Sequence, residues 1–290
     1  MNPAPSVILF STLSGLGFGF LAFLGAGALV PSGWAAFFLW GLGYGLAVAG
    51  LLAATFHLGN PKNGLLAFTQ WRTSWLSREA WASVATLVLL APVALSDWLG
   101  LCLPRGFGWV GAALALGTVV TTGMIYAQIK AVPRWHHWLT PVMFLGFAVA
   151  GGAMLAGSAL APLALVGVGA GLLAIWRVGD GAFRRAGQTM GSATGLDRIG
   201  TPWVFEPAHT GGNYIRREMI FVVGRKHAGK LRWIALGLAS ILPALVLLLP
   251  LGWLGVALAA GLHLTGALVA RWLFFAEAEH VVGLYYGARG

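Results

Sequence analysis

Long apolar runs separated by short polar punctuation recur along the whole chain. Such runs match the roughly 20 residues an α-helix needs to cross about 30 Å of hydrocarbon, where the backbone must satisfy its own hydrogen bonds. The pattern predicts eight spans, over residues 6–30, 34–57, 79–97, 107–129, 139–157, 160–177, 232–249 and 253–275. Pro31–Ser32–Gly33 turns the chain after the first span, Leu101 to Pro104 after the third and Pro250–Leu251–Gly252 after the seventh, and the link at Ala161–Pro162 is the tightest. The last span carries a pattern that can continue helically past Phe275 towards Tyr286. Three longer polar stretches, 58–78, 130–138 and 178–231, remain as loops. The fold class expected is therefore all-α, a polytopic membrane protein with eight transmembrane helices in one integral domain over residues 1–290.

Composition agrees. Charged residues make up 9% of the chain against about 25% in soluble domains, hydrophobic residues make up 58%, and the mean hydropathy is +0.81. A net charge of +10 could point to nucleic acid, but the basic residues stand in loops between spans, where they set topology. No nucleic-acid partner is expected. Eight spans put both termini on the same side as the three longer loops; that side carries 17 of the 18 Lys and Arg residues, and Arg105 stands alone opposite. By the positive-inside rule the basic side, with both termini and the long loops, is expected in the cytoplasm. Met1 to Ser6 lacks the positive charge that begins a signal peptide, so the first apolar run is expected to be a retained helix. The lone Cys102 excludes a disulfide framework and an iron–sulfur cluster held by this chain alone.

The stretch from His57 to Glu79 draws attention next. His57 closes the second span, Gly59 and Pro61 stop the helix, Trp71 and Trp75 mark an interface, and Ser77 and Glu79 are suited to cap the following helix. An imidazole at a membrane edge can hydrogen-bond a quinone carbonyl and exchange protons near neutral pH, or it can serve only as an interfacial cap. Arg72 and Arg78 are free to pair with Glu79 or to meet a partner. His263 lies near mid-membrane, as a helix–helix hydrogen bond or a proton relay. Arg271, eight residues on, is expected near the basic interface, pairing with Glu277 or Glu279 or snorkelling. Consecutive His136 and His137, flanked by Trp135 and Trp138, read as an interfacial belt rather than a metal site. Haem ligation by His57 and His263 is disfavoured by their different depths. Trp75–Leu76–Ser77–Arg78–Glu79 and Tyr214–Ile215–Arg216–Arg217–Glu218 share a pattern four spans apart; a tandem repeat of four-helix halves and a chance match both account for it.

Three strings carry a family likeness: His57–Leu58–Gly59, the run Arg72 to Glu79 (RTSWLSRE), and Arg271 to His280 (RWLFFAEAEH) followed by Tyr285–Tyr286–Gly287. Together they resemble the membrane-anchor subunit of dimethyl-sulfoxide-reductase-type molybdoenzymes, over the whole length. The resemblance implies an eight-helix anchor with no haem or metal of its own. Such an anchor binds ubiquinone or menaquinone and holds a ferredoxin-like iron–sulfur subunit and a molybdopterin catalytic subunit against the bacterial inner membrane and its lipid. It also maps the family's quinol-site histidine onto His57, within a quinone-binding set of His57, Lys62, Arg72, Trp75 and Arg78. Asn60 stands where many members have Arg before Pro61, so Lys62 or Arg72 would supply positive charge there. The basic side faces the cytoplasm here, which is similar to the sulfite-oxidising branch. The function expected is thus the anchor of a cytoplasm-facing sulfite dehydrogenase. A quinol-oxidising reductase anchor is the alternative within the family; a secondary transporter, and a tether with no quinone site, are the alternatives outside it.

Overall fold

Helices stand at each of the eight places the apolar pattern marks: α1 (Pro5–Gly25), α2 (Gly33–Thr55), α3 (Trp75–Leu99), α4 (Gly106–Ala127), α5 (Leu139–Leu155), α6 (Ala161–Gly179), α7 (Ala228–Leu247) and α8 (Gly252–Ala276). The computed structural model describes residues 1–56, 61–203, 205, 219 and 226–286, and among these there is no strand. Seven of the helices are long and apolar enough to cross a membrane, and the eighth, α5, has 17 residues. At about 1.5 Å per residue α5 reaches only about 25 Å. It packs against α1, α4, α6 and α8, so its shortfall is taken up inside protein rather than against lipid.

The first helix is the axis of the assembly, packed against α2, α4, α5 and α8. Lipid supplies no hydrophobic drive for helices to associate, so close approach of small residues has to hold them together. Gly17 meets the backbone of Ala47 on α2, and Gly19 meets that of Ala148 on α5; a Cβ at either position would fall 2.3 or 2.0 Å from a backbone atom. Two buried clusters result. One gathers Phe18, Phe20, Leu21 and Leu24 of α1 with Trp40 and Leu90, and the other gathers Met154, Leu165, Leu172, Ala239 and Leu273 from α5 to α8. The outward faces remain apolar: Phe38, Leu52, Val88 and Leu163 are all exposed. A water-soluble protein would not leave such a surface uncovered. Exposed Trp34, Trp109 and Trp253 lie at one end of the bundle, and Trp71, Trp138 and Trp233 at the other, the two aromatic belts of a membrane protein.

Several boundaries differ from the expectation. The third helix begins at Trp75, four residues earlier than the predicted 79, because Ser74 caps it: Ser74 is extended and its Oγ accepts from the Ser77 amide. Ser77 and Glu79 are therefore inside the helix rather than caps. Gly100, at φ 70°, ends the same helix in the left-handed conformation that glycine adopts without cost. Residues Pro61–Phe68 of the first long loop form a 3-10 helix. The last helix stops at Ala276 rather than continuing; a 3-10 turn, Val281–Tyr286, folds back so that the Val281 amide donates to Ala131 O at 3.0 Å. The Met1 ammonium donates to Ala278 O at 2.8 Å, which brings the N-terminus to the end of α8. The Tyr214–Glu218 string lies outside the described residues.

Candidate functional site

His57 lies outside the described residues, but the frame around it is defined. The second helix ends at Thr55, with exposed Phe56 as its cap, and Lys62 lies in the 3-10 helix that follows. That 3-10 helix is fastened to α3. The Ser77 hydroxyl donates to Ala67 O, and the Trp81 indole N–H donates to Phe68 O at 3.0 Å, with the Phe68 and Trp81 rings edge to face at 5.3 Å. The loop is thus a platform on the first turns of α3.

Arg78 is the staple of this platform. Its Nε donates to Trp71 O at 3.0 Å and its Nη2 to Arg72 O at 2.7 Å, while the guanidinium covers the Trp75 ring at 4.3 Å. Arg72 lies over Trp71 at 5.3 Å. The expected pairing of Arg72 or Arg78 with Glu79 does not occur among the described residues. The earlier start of α3 turns Glu79 inward, where it is 3% exposed and accepts a hydrogen bond from the Thr122 hydroxyl of α4. The Thr122 hydroxyl, whose one hydrogen goes to Glu79, also lies 3.0 Å from Thr118 O, and the Thr118 hydroxyl meets that of Thr86 at 3.2 Å, so a short hydroxyl seam runs between α3 and α4. A carboxyl buried in lipid-depth protein with a hydroxyl partner is a group that can hold and hand on a proton.

One turn further round the bundle, Tyr126 is enclosed by Trp135, Phe144, Phe274 and Phe275. Arg271 completes this aromatic region. It is 5% exposed, and its guanidinium lies 3.5 Å from the Phe144 ring centre and 5.2 Å from that of Phe147. It therefore neither snorkels nor pairs with Glu277. Glu277 instead takes Arg134, and Arg232 through Nε at 2.7 Å. Arg232 also grips Asp180 with both terminal nitrogens, at 2.6 and 2.7 Å, and Arg134 reaches Asp180 at 3.1 Å. These hydrogen bonds from Arg232, with Arg134 beside them, hold the Asp180 carboxyl below the usual carboxylate range. The lattice ties the α4–α5 link, the end of α6, the start of α7 and the end of α8 into one corner. Read from sequence, Arg134 and Arg232 count only as topology charges. The available signal is scarcity: with eight acidic residues in the chain, each one beside a span calls for a named partner.

His263 has a structural reason to be where it is. Pro243 of α7 has no N–H to give to the carbonyl four residues back, Ala239 O, and the helix widens to a π turn over Gly237–Ile241. The His263 Nδ1 lies 2.6 Å from that carbonyl and donates to it. Gly266, one turn on, lets the two backbones approach, since a Cβ there would meet Ala239 N at 2.2 Å. Of the two readings of His263, helix pairing is the one realised in these contacts. His136 Nδ1 bonds Ala127 O at 2.6 Å, and His137 Nδ1 accepts from the Leu139 amide at 3.1 Å. Both close the α4–α5 link.

The sequence comparisons agree with this architecture. Residues 34–175 match the model of the family described as DMSO reductase anchor subunit (DmsC). The chain is 32% identical to a sulfite dehydrogenase subunit of Allochromatium vinosum, with 99% of each chain covered. No solved structure matches. With its bundle of apolar helices and a full-length relative at this identity, the chain belongs to the DMSO reductase anchor subunit family of multi-pass membrane proteins.

Proposed function

We propose that this chain is the quinone-binding anchor of a cytoplasm-facing molybdenum and iron–sulfur sulfite dehydrogenase, seated in the bacterial inner membrane. The observation that carries the reading is the end-to-end similarity to a sulfite dehydrogenase subunit. The geometry of the basic end supports it. The 61–81 platform is fastened to the first turns of α3, which also carries the buried Glu79, so aromatic surfaces and a buried carboxyl belong to one region, and His57 precedes this platform by four residues in the sequence. These residue types suit a quinone head group. Indole faces accept its ring, an imidazole N–H bonds a carbonyl oxygen, and a buried acid exchanges a proton beside it.

Bound there, ubiquinone or menaquinone would supply a two-electron, two-proton acceptor. The electrons would come from sulfite, which with water gives sulfate, two protons and two electrons in the molybdopterin partner, and would reach the anchor through the ferredoxin-like iron–sulfur partner. The chain's own work is positional. Arg78 fixes the platform backbone, His57 would bond the head group, and Glu79, which accepts from the Thr122 hydroxyl, would exchange a proton with it. Arg72, Trp75 and Arg78 form the surrounding wall. The loop residues 58–78, 130–138 and 178–231 form the docking face for the two catalytic partners. The excess of Lys and Arg on this end supports a cytoplasmic placement for it and for both termini. The transporter alternative gains no support from either comparison.

The match to a reductase anchor model keeps one second reading, an anchor that oxidises quinol for a sulfoxide or related reductase. Membranes containing the whole complex separate the two. Sulfite-dependent reduction of added quinone with no quinol-dependent sulfoxide reduction supports the proposal; the reverse pattern overturns it. A tag in the 178–231 loop should be reached by a membrane-impermeant reagent only after spheroplasts are opened, and labelling in intact spheroplasts would contradict the orientation.

A further inference from the structure

Three cavities of decreasing size share walls from the basic end of the bundle to mid-membrane. The outermost, about 220 Å³, is lined by Arg134, Asp180, Phe183, Arg184 and Glu277 among others. It shares Arg134 and Glu277 with a crevice of about 30 Å³ between α5, α6 and α8, whose inner wall includes Phe147, Ala270 and Arg271. That crevice shares Phe147 and Arg271 with a cavity of about 10 Å³ between α1, α5 and α8, bounded by Thr12 and His263.

One polar atom at the inner end lacks a partner among the described residues. Thr12 Oγ1 is the buried side-chain oxygen or nitrogen that has no hydrogen bond among the described residues. The guanidinium of Arg271 lies on Phe144 and Phe147, with no acceptor within bonding distance among the described residues. The His263 ring lines the same small cavity, with Nδ1 donating to Ala239 O, Nε2 on the side of Gly151 and the Phe147 backbone as a second neighbour. A hydroxyl left dry at this depth would cost about 1–3 kcal/mol. Volume decides what satisfies it. A water needs about 10–15 Å³ of such space. The two inner cavities have room for one to three waters and none for a quinone ring.

We propose that this taper is a dead-ended water inlet: ordered water in the innermost cavity bridges Thr12 Oγ1, His263 Nε2 and Arg271, and exchanges with the basic side past the Arg134–Glu277 ion pair. It is separate from the His57 platform and does not depend on the quinone reading. It gives a mid-membrane imidazole contact with the solvent of one side only.

Histidine C2 hydrogen–deuterium exchange, followed by mass spectrometry on the intact complex in heavy water, tests this. His263 should exchange within about tenfold of exposed His136, and Ala270→Phe, which fills the crevice, should slow His263 at least tenfold while leaving His136 unchanged. No measurable exchange at His263 in the native complex, or exchange indifferent to Ala270→Phe, overturns the inlet. Thr12→Val gives a second reading that needs no exchange. If the cavity is dry, removing an orphaned hydroxyl raises the melting temperature; if a water bridges Thr12, the substitution strands that water and lowers it. A rise overturns the proposal.

Discussion

Glu79 is the residue whose environment departs furthest from its sequence appearance. Written beside Arg78 it looks like a surface acid, yet one helical step turns it 100° from its neighbour and into the α3–α4 seam. Glu79→Gln preserves its shape and its acceptor for Thr122 while removing the proton. Quinone-linked electron transfer should fall by about 100-fold, within the usual range for loss of a general acid–base group. Sulfite oxidation with an artificial acceptor should stay at the native rate, and unchanged quinone reduction would remove Glu79 from the mechanism. His280 carries a second residue-scale prediction. Burial, and then the nearby N-terminal ammonium, lower its proton affinity, and its Nδ1 accepts from the Val282 amide at 3.0 Å. A histidine with a depressed folded pKa contributes stability that is present above the unfolded value, about 6.5. That contribution is lost as pH falls below it, because protonated Nδ1 can no longer accept. Thermal unfolding of the complex should therefore fall off below about pH 6.5 in the native chain. The fall-off should be smaller in His280→Asn; identical profiles would refute this.

At the scale of elements, the apolar runs located the eight long helices because a membrane leaves a spanning backbone no other way to satisfy itself. The helix ends were less legible. The cap expected at Ser77 falls instead to Ser74, and the Ser77 hydroxyl donates to Ala67 O of the 3-10 helix. Nothing local to Pro243 indicates what bonds the freed Ala239 O, because His263 lies 24 residues from Ala239, on the neighbouring helix. A double-mutant cycle tests that link. His263→Phe should cost about 1–3 kcal/mol of stability by orphaning Ala239 O. In a Pro243→Ala background, whose new N–H can serve that carbonyl, most of the cost should vanish. Additive losses would mean that the π turn and the histidine are unrelated.

For the molecule as a whole, the ion-pair corner shows where sequence reading ends. Arg134 and Glu277 meet across 143 residues, and no local pattern encodes such a contact. Glu277 is nearly buried and shared by two arginines, so Glu277→Ala leaves both without it. Loss of one partner of a buried pair typically costs about 3–5 kcal/mol. The purified complex should melt at a clearly lower temperature, with loss of α6–α7–α8 cohesion visible as faster proteolysis of the 178–231 loop. A melting temperature within a degree of native would mean that the corner is a solvated surface.

The candidate site was legible as a stretch, His57 to Glu79, and the family strings sharpened it, but the partner of its acid, Thr122 on another helix, was not. The aromatic region of Arg271, Tyr126 and Phe144 likewise comes together only through the packing of α4, α5 and α8. The proposed function stands or falls on electron transfer from this anchor to quinone at the His57 platform. Sulfite-dependent quinone reduction is the decisive assay, in membranes holding the whole complex, with the native chain compared with His57→Ala at equal assembly. Quinone reduction should be lost in the variant while sulfite oxidation with an artificial acceptor persists. Equal quinone reduction by the two complexes would contradict a quinone site at His57.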